Sequence, residues 1–461
     1  MKRVNPRSLP YPPGPRRWSV IGNLFDLATT NEAAAYNKLA QKHGEMFFFS
    51  VLGQNILFVN SFQVAYDLFE KRSSIYSDRK RSVMMNDLVG RMLARRRYRQ
   101  DWDWSFGHMP YGDRWKAHKK VFCSEFQQSS VQSYAAVHLK AAKILASRLL
   151  RSPCQLKEHL RSNAAAVTMG KALEGMAAAA KPGQFFVDFL PIPIHEMRDS
   201  PFDTVKRLLV SIAYGTAAPS FVSNRLLNLE PKGDNGLAEE IIRNCAGLAY
   251  AGQTISALST FILAMVLSPE IVQKAHKELD KVVAHNRLPN EADRARLPFV
   301  EAIVKEVLRF APSPNSGLPH MLSEDDEYNG YFIPAGTIVV GNTWTILHDP
   351  STFPDPHKFN PDRFLHPSPR TQSLHTPTSA LSSGFGYGRR ACPGRFLADQ
   401  QLFITFATIL SLFEIGPGLD ENGGPVPVEA RFTSGMICHP LSFQYTIKPR
   451  GQYVKKLLES E

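Results

Sequence analysis

The chain has 461 residues, of which 43% are hydrophobic, 10% aromatic and 21% charged. This is the composition of a globular protein, and it excludes collagen-like, coiled-coil and largely disordered chains. Lys and Arg outnumber Asp and Glu by 54 to 42, which gives a formal net charge of +12 at pH 7. Such an excess fits a nucleic acid, an anionic membrane surface or an acidic protein partner, and it carries no information about the fold.

The cysteines and the apolar runs limit the classes of protein that the chain fits. Its five cysteines form no C-x-x-C pair, which argues against both a disulfide scaffold and a zinc ribbon. The N-terminal stretch 1–18 is basic but has no apolar core, so it is not a signal peptide. The longest apolar runs, 256–267 and 402–413, hold about a dozen residues each, whereas a membrane span needs about 20. We therefore expect no transmembrane anchor in this chain.

Three segments of the chain are predicted to be extended. Residues 10–15 include four prolines and one glycine, so residues 1–20 are predicted to form a stiff, Pro-rich entry segment. Residues 45–60 consist of two aromatic-rich apolar halves around Gly53, which predicts a β-hairpin. Residues 328–342 are predicted as strand, turn and strand.

Helical periodicity dominates the rest of the chain. One helix, over 237–267, would run about 46 Å at ~1.5 Å per residue, across most of a globular protein. Residues 21–461 are therefore predicted to form a single domain that is mainly α with a small β-sheet lobe. The predicted helices cover residues 63–72, 115–151, 237–267, 297–310 and 393–413.

Residues 91–101 carry five arginines within eleven positions. Several such runs interleaved with aromatic residues would indicate a nucleic-acid arm, but the sequence has this single one. A solvated surface loop is the favoured interpretation, and we expect no nucleic-acid partner.

The segment 384–394 reads GFGYGRRACPG and surrounds Cys392 with glycines and two arginines just before a predicted helix. Glycines let the backbone approach a flat ligand and turn its N–H groups towards a sulfur, and such dipoles stabilise a thiolate. Arg390 supplies positive charge for an acidic group on the same ligand. A glycine-rich turn around a structural cysteine is the alternative, but the ten-residue pattern F-x-x-G-x-R-x-C-x-G that begins at Phe385 favours metal ligation by Cys392.

With this pattern the chain resembles the cytochrome P450 family of haem-thiolate monooxygenases, and most closely its fungal members. The resemblance implies the P450 fold, with Cys392 as the axial ligand of a haem b iron and Arg390 as a partner of a haem propionate. Phe385, which opens the pattern, belongs by the same resemblance to the haem-binding residues. Iron held by a cysteine thiolate pushes electron density towards bound dioxygen and favours O–O cleavage.

Two further motifs follow in the family's order. Glu306 and Arg309 match its E-x-x-R, and because residues three apart share a helix face, the two side chains can pair. Arg363 matches the third member of the family's triad. By resemblance the three residues stabilise the haem-binding core and take no part in catalysis, whereas a surface ion pair is the alternative for E-x-x-R alone.

Three more residues are assigned to the haem propionates by resemblance. Trp115 and Lys119 lie one helical turn apart, and His320 follows a Leu-Pro pair. The family usually has arginine where this chain has Lys119, and a lysine keeps the charge but loses the bidentate geometry. For each residue alone, a core tryptophan, a surface lysine or a loop histidine is the simpler interpretation. Their joint order along the chain supports the assignment.

The oxygen-activating segment departs from the family pattern. The family normally has an acid before a threonine, and this chain has Gln253 before Thr254. We predict that Thr254 is the catalytic alcohol that relays protons to dioxygen, with a packing threonine as the alternative. Gln253 can hold water by hydrogen bonds but cannot deliver a proton as a carboxylic acid does.

Three other departures concern whole segments. Residues 91–101 are additional to the family pattern, and the region 160–219, where the family keeps its substrate lid, is short. The N-terminal membrane anchor typical of eukaryotic members is missing from this sequence. An altered gene model or splice form would account for all of these departures together.

The resemblance implies a haem-dependent monooxygenase that inserts one oxygen atom into an apolar small molecule, in secondary metabolism or detoxification. Electrons would come from NADPH through a flavin-containing reductase. The alternatives are a haem-thiolate isomerase or dehydratase, which needs no proton relay, and a catalytically impaired haem-binding variant. Family membership predicts the endoplasmic reticulum membrane, with peripheral contact in place of an anchor, and otherwise the cytoplasm. The basic residues expected to steer an acidic partner are Lys116, Lys119, Lys120, Arg389 and Arg395.

Overall fold

The computed structural model describes residues 5, 7–81, 105–163, 254–313, 317–365, 376–435 and 437–459. Within these residues the protein is mainly helical, as the sequence predicts. The α-helices are α1 (Glu32–His43), α2 (Phe62–Ala65), α3 (Asp113–Phe126), α4 (Gln128–Val131), α5 (Ala135–Arg151), α6 (Leu156–Asn163), α7 (Thr254–Leu267), α8 (Pro269–Val283), α9 (Pro298–Phe310), α10 (Thr343–Leu347), α11 (Pro377–Leu381), α12 (Arg395–Leu412) and α13 (Tyr453–Glu459).

Eight strands form three small sheets in the described part of the chain. In the largest sheet the strand order is β1-β2-β6-β3, with β2 and β6 parallel and the other neighbours antiparallel. The pairs β4–β5 and β7–β8 are separate antiparallel ribbons. The strands are β1 (Met46–Val51), β2 (Gln54–Val59), β3 (His320–Met321), β4 (Asp326–Tyr328), β5 (Tyr331–Ile333), β6 (Ile338–Gly341), β7 (Phe413–Pro417) and β8 (Tyr445–Pro449).

The predicted hairpin is confirmed, and so are the strand, turn and strand predicted within 328–342, which are β5, residues 334–337 and β6. β1 and β2 join at Leu52 and Gly53, both with positive φ, the geometry that matches strand twist in a two-residue turn. In 328–342, the tight hairpin lies at Asn329 and Gly330 between β4 and β5. β6 does not pair with either strand of that hairpin and instead lies beside β2. The pattern of apolar residues identifies a strand but not its neighbour.

Two predicted helices are interrupted in the structure. The range 115–151 contains a break at Gln127, which has an extended backbone (φ −69°, ψ 161°) between α3 and α4. In the range 63–72, α2 is followed by a π-helical turn over Tyr66–Lys71. Of the predicted helix 237–267, residues 254–267 form α7, and the remainder lies outside the described residues. The spacing of apolar residues does not reveal these helix interruptions, because the buried face continues across them.

The largest core forms around α7, α9 and α12. Every residue of α12 from 402 to 412 is buried, and so is most of α7. The rings of Phe261 and Phe406 stack with centroids 3.9 Å apart where these two helices meet. A helix that is apolar on all sides has to be surrounded by protein or lipid, and in this molecule protein surrounds both. The core therefore holds the helix that follows Cys392 rigidly in place.

We searched the described helices for stretches that could span a membrane. No single helix there is both long and apolar enough. The consecutive helices α7 and α8 reach the required length and composition only as a pair, and the chain bends by 104° between them.

A buried carboxylate just before α9, Asp293, predicts a loss of stability in acid. Arg287 donates two hydrogen bonds to Asp293 (2.6 and 2.7 Å), whose side chain is 1% exposed. These bonds, together with those from the Asn290 N–H and Arg296, lower the pKa of Asp293 to about 2. Because the folded pKa lies below the unfolded one, the stabilisation is complete above about pH 4 and is lost as the pH falls towards about 2.

We expect Asp293→Asn to lower the free energy of unfolding by about 2 kcal/mol at pH 7 and to flatten the stability profile between about pH 4 and 2. Urea unfolding across this pH range measures both effects. The exposed Glu324→Gln serves as the control and should leave the profile unchanged. A profile for Asp293→Asn that is parallel to the wild-type profile would contradict the prediction.

Candidate functional site

Cys392 lies in a glycine-rich loop between a 3₁₀ turn, Gly388–Arg390, and the start of α12. The Cys392 N–H donates a hydrogen bond to the Phe385 carbonyl (2.7 Å), which closes the loop. Gly388 has a φ of +51°, and a Cβ at this position would meet the Phe69 carbonyl oxygen at 2.0 Å. Glycine is required there both by the backbone conformation and by the close approach. The glycines that the sequence singled out therefore bring the loop onto the turn at Tyr66–Lys71.

The groups around the Cys392 sulfur have opposing effects on the pKa of its thiol. Burial raises the pKa of the Cys392 thiol, while a hydrogen bond from the Gly394 N–H and the charge of Arg395 lower it. Both favourable groups belong to the start of α12, whose free N–H groups also favour a negative charge. Since burial has the larger effect, a thiolate at this position requires a cation, and a metal ion bound to the sulfur would supply one.

The structure brings Trp115, Lys119 and Arg390 together beside this loop. Trp115 is buried, and the Arg390 guanidinium lies over its ring at 4.3 Å from the centroid. The Lys119 ammonium lies 5.2 Å from the same centroid and donates a hydrogen bond to the Arg389 carbonyl. Helix α3 is thus joined to the cysteine loop by the contact of Arg390 with the Trp115 ring and by the hydrogen bond from Lys119 to the Arg389 carbonyl.

Arg390 also binds backbone. It donates to the carbonyls of Ser77 (2.7 Å), Phe106 (3.3 Å) and Met109 (2.7 Å). A guanidinium has five N–H donors, so these bonds leave donor capacity for a further acceptor. Burial lowers the pKa of Arg390 to about 10, which keeps it charged at neutral pH. The assignment of Arg390 to a propionate stays a prediction.

His320 is buried, and its Nδ1 lies 2.7 Å from the Tyr76 carbonyl. A carbonyl accepts only, so Nδ1 carries the proton in the neutral ring and Nε2 is an acceptor. Burial and the nearby Arg79 lower the pKa of His320 well below its usual value. A contact from Nε2 to a propionate therefore requires the imidazolium, which an adjacent carboxylate would stabilise.

Two residues of this cluster were not assigned a role from the sequence. Arg79 is buried and donates to the carbonyls of Leu318 (2.6 Å), Pro319 (2.5 Å) and Gly107 (3.2 Å). Burial lowers its pKa, and so does the neighbouring charge of Arg390. Arg79 ends the short polar segment YSDR at residues 76–79, and no other feature of the sequence marks it as a site residue.

The second unassigned residue is His108. Its Nδ1 lies 3.1 Å from Ser105 Oγ, while its Nε2 is buried and has no hydrogen-bond partner among the described residues. Burial, Arg79 and Arg390 lower the pKa of His108 to about 4. Nothing in the local sequence marks this histidine, because its surroundings come from distant segments.

This donor set fits an acidic prosthetic group. Arg79, Arg390 and Lys119 concentrate positive charge in a largely buried region, and the pKa values of both arginines respond to a single carboxylate, Asp78. Asp78 itself accepts hydrogen bonds from the N–H groups of Arg79 and Tyr111 (both 2.8 Å). Buried charge without a partner is costly. A ligand that carries two carboxylates, as haem does, would offset that cost.

The triad predicted from the E-x-x-R motif is assembled in the structure. Arg309 donates to both carboxylate oxygens of Glu306 (2.7 and 2.9 Å), and both side chains are fully buried. Arg363 donates to Glu306 at 3.2 Å, and the Asn360 N–H does so at 2.8 Å. The Glu306–Arg309 pair is bidentate and fully buried, which excludes the alternative of a surface ion pair. The bonds from Arg363 and the Asn360 N–H to Glu306 tie α9 to the segment that leads towards the cysteine loop.

The two catalytic candidates are less well defined. Thr254 is the first residue of α7 and is half-buried, and Gln253 lies outside the described residues. Two positions further on, Ser256 Oγ donates a hydrogen bond to the Cys438 carbonyl, which ties α7 to the C-terminal loop. The roles of Thr254 and Gln253 in proton delivery stay predictions.

Comparison with known proteins agrees with this arrangement. The family model described as Cytochrome P450 matches residues 12–164 and 213–447. Cytochrome P450 monooxygenase 98 of Postia placenta is 33% identical over 98% of this chain and 93% of its own length. Tryptamine 4-monooxygenase of Psilocybe cyanescens is 33% identical over 96% of this chain and 94% of its own length. Cytochrome P450 monooxygenase 208 of Postia placenta is 35% identical over 97% and 92%, respectively.

The chain belongs to the cytochrome P450 family. The family's cofactor is haem held by a cysteine thiolate, and its monooxygenases use a redox partner and small-molecule substrates. The fungal relatives support a haem-dependent monooxygenase, so the isomerase or dehydratase interpretation is not favoured. Residues 165–212 lie outside both matched stretches, within the region 160–219 where the sequence departs from the family pattern.

Proposed function

We propose that this chain binds haem b through Cys392 and inserts one oxygen atom from dioxygen into an apolar small molecule. The observation that carries the proposal is the position of Cys392, in a glycine-dependent loop beside two largely buried arginines, Arg79 and Arg390, that share a single carboxylate, Asp78. When bound, the haem supplies the iron that activates dioxygen. The protein supplies the sulfur ligand and the cations for the acidic edge.

The residues of the cluster divide this task by their chemistry. The Gly394 N–H and Arg395 favour the charged form of the Cys392 sulfur. Arg390, Lys119 and the indole N–H of Trp115 form the donor set for one carboxylate of the haem. Because Arg390 already spans three backbone carbonyls, it also couples the haem edge to the segments around Ser77 and Phe106 that line the same region.

Proton delivery is assigned to the start of α7. The Thr254 hydroxyl can donate and accept a hydrogen bond, so it can pass a proton between two waters without changing its own charge. The Gln253 amide can orient one of these waters. Since neither group is an acid, we expect the proton to come from solvent, and turnover should vary less with pH than in an enzyme that has a carboxylic acid at this position.

Electron delivery is assigned to an NADPH-dependent flavin reductase with an acidic docking face. Four exposed basic residues lie on α3 and on either side of Cys392 in the chain, and Lys119 lies half-buried against the Arg389 carbonyl. A surface of one charge sign raises the rate of encounter with an oppositely charged partner. The four exposed residues are Lys116, Lys120, Arg389 and Arg395.

The absorption spectrum of the full chain, reduced and saturated with carbon monoxide, tests the proposal. A strongly red-shifted Soret band is expected if the sulfur of Cys392 binds the iron. A band typical of histidine-ligated haem, or no haem at all, would overturn the proposal for this chain and would support the catalytically impaired variant. Consumption of NADPH with a fungal reductase and a panel of apolar compounds then tests oxygen insertion.

We further propose that the chain works at the surface of the endoplasmic reticulum membrane. Trp18, Val20 and Phe25 are exposed by 66%, 91% and 76%. Two hydrogen bonds between Trp18 and Gly22 (both 3.0 Å) close the turn on which Val20 projects. Exposed Arg16 precedes it. Large exposed apolar residues beside basic ones are typical of an interface with anionic lipid.

We expect Trp18→Ser combined with Phe25→Ser to weaken binding to phosphatidylcholine–phosphatidylserine vesicles by at least about tenfold, since each large apolar side chain contributes about 1.5–3 kcal/mol when buried. Sedimentation with the vesicles measures the effect. Val137→Ser is the matched control, because Val137 is 60% exposed and lies on α5. If the double variant binds as tightly as the wild type, the proposed surface is wrong.

A further inference from the structure

The candidate site borders on a buried tyrosine that the proposed function does not use. Tyr76 is 0% exposed, and its hydroxyl donates a hydrogen bond to Asp326 Oδ2 (2.9 Å). Burial and the negative charge of Asp326 raise the pKa of Tyr76 well above its usual value, so the hydroxyl keeps its proton and acts as the donor. A hydrogen bond to a carboxylate is roughly twice as strong as one between neutral groups. Tyr76 is therefore firmly tied to the hairpin β4–β5, which carries Asp326.

The carboxylate of Asp326 is itself held by a second partner. Arg72 Nη1 donates to both of its oxygens, at 2.6 and 2.7 Å. Arg72 directly follows the π-helical turn over Tyr66–Lys71, and Gly388 of the cysteine loop packs against this turn. The group that anchors the Tyr76 hydroxyl is thus connected to the surroundings of the cysteine loop.

The backbone at Tyr76 accepts hydrogen bonds from two residues that we propose for the haem edge. The Tyr76 carbonyl accepts from His320 Nδ1 (2.7 Å), and the next carbonyl, that of Ser77, accepts from Arg390 Nε (2.7 Å). Arg79 follows two residues later in the same segment. The position of this segment therefore decides where three basic side chains of the site lie.

The same segment also pairs with the chain that follows His320. The Met321 N–H donates to the Asp78 carbonyl (2.8 Å), and the Ser323 N–H donates to the Ile75 carbonyl (2.9 Å). An amide proton in such a bond exchanges with solvent only when the bond opens. Exchange at these two amides therefore reports how firmly the segment is held.

We propose that Tyr76 is a positioning residue, whose hydrogen bond to Asp326 fixes the segment 75–79 and so holds His320 and Arg390 in one arrangement for haem binding. The inference rests on the proposed function, because haem is the group that these two side chains would contact. Without the hydroxyl, the ring would still fill the core, but the segment would lose its polar anchor. Its carbonyls would then be free to shift, and the two basic groups with them.

Tyr76→Phe in the full chain tests the proposal, with Tyr328→Phe as the matched control. Tyr328 is also buried, and its hydroxyl donates to Asp67 Oδ2 (2.8 Å) from the same hairpin. Each substitution leaves a carboxylate that keeps a basic partner, Arg72 for one and Lys71 for the other. The two variants should therefore lose similar amounts of stability in urea, whereas only Tyr76→Phe should loosen the segment.

Hydrogen exchange of the haem-free chain, followed by mass spectrometry, is the first measurement. We expect the Met321 and Ser323 amides to exchange about tenfold faster in Tyr76→Phe than in the wild type, and at the wild-type rate in Tyr328→Phe. The second measurement is the rate at which bound hemin is lost to apomyoglobin. This rate should rise about three- to tenfold in Tyr76→Phe and stay at the wild-type value in the control.

Unchanged exchange in Tyr76→Phe, or an equal increase in both variants, would overturn the proposal. Faster exchange without faster loss of hemin would overturn it as well, because the segment would then have no influence on the haem edge. The proposed function fails by a different result. If the reduced, carbon-monoxide-bound wild type lacks the red-shifted Soret band, the proposed function is wrong, and exchange in the haem-free chain still decides whether Tyr76 fixes the segment.

Discussion

Replacing Cys392 with serine is expected to remove the red-shifted Soret band of the reduced, carbon-monoxide-bound protein and to reduce oxygen insertion to background. Serine preserves the size of the side chain and the N–H bond to the Phe385 carbonyl (2.7 Å), so the loop should keep its shape. A serine hydroxyl ionises far less readily than a thiol, even beside a bound metal ion, and it cannot push electron density onto the iron as a thiolate does. The measurements are the absorption spectrum and the rate of product formation.

Cys438→Ser is a suitable control for this experiment. Cys438 is buried, and its Sγ lies 3.0 Å from the Thr433 carbonyl, so the substitution changes one thiol in a packed environment away from the cysteine loop. The control should retain the red-shifted band. A Cys392→Ser protein that retains the band would show that another residue holds the iron, and the assignment of the whole cluster would fall with it.

Replacing Glu306 with glutamine is expected to lower the free energy of unfolding by about 3–5 kcal/mol, the usual effect of removing one partner of a buried ion pair. Glu306 accepts from Arg309, Arg363 and the Asn360 N–H, and its side chain is 0% exposed. The glutamine can accept some of these bonds, but it leaves two guanidinium groups without a counter-charge. Urea unfolding followed by circular dichroism measures the loss.

A surface ion pair of the same type provides the control. Glu459 lies 3.9 Å from Lys455 on α13, and both side chains are exposed. Glu459→Gln should change the free energy of unfolding by no more than about 0.5 kcal/mol. If Glu306→Gln differs from this control by less than about 1 kcal/mol, the buried triad does not stabilise the fold in the way we infer.

Elements with a strong local signal could be predicted from the sequence. The hairpin β1–β2, the helices α9 and α12 and the Glu306–Arg309 pair all depend on contacts within a few residues, where side-chain period and turn chemistry decide the outcome. The same holds for Gly388, which the loop pattern marked and which the close approach of Phe69 explains. These predictions are confirmed because local patterns and the final fold agree on them.

Predictions stopped where the partner of a segment lies far along the chain. β6 pairs with β2, which lies about 280 residues earlier in the 461-residue chain, and the pattern of residues 328–342 gave no indication of that choice. The break at Gln127 is another case, because α3 and α5 contribute to separate parts of the fold that only the packed structure distinguishes.

The sequence by itself determined that this protein is a mainly helical P450 with a cysteine loop, because the pattern from Phe385 to Gly394 and the E-x-x-R motif are short and local. Only the tertiary structure decided that Arg79, His108 and Arg390 share one buried region. Arg390 reaches carbonyls about 300 residues earlier in the chain. The Nε2 of His108 is buried, with no partner among the described residues, only because those segments pack together. Burial of charge is a property of the packed molecule, so no sequence pattern could have predicted it.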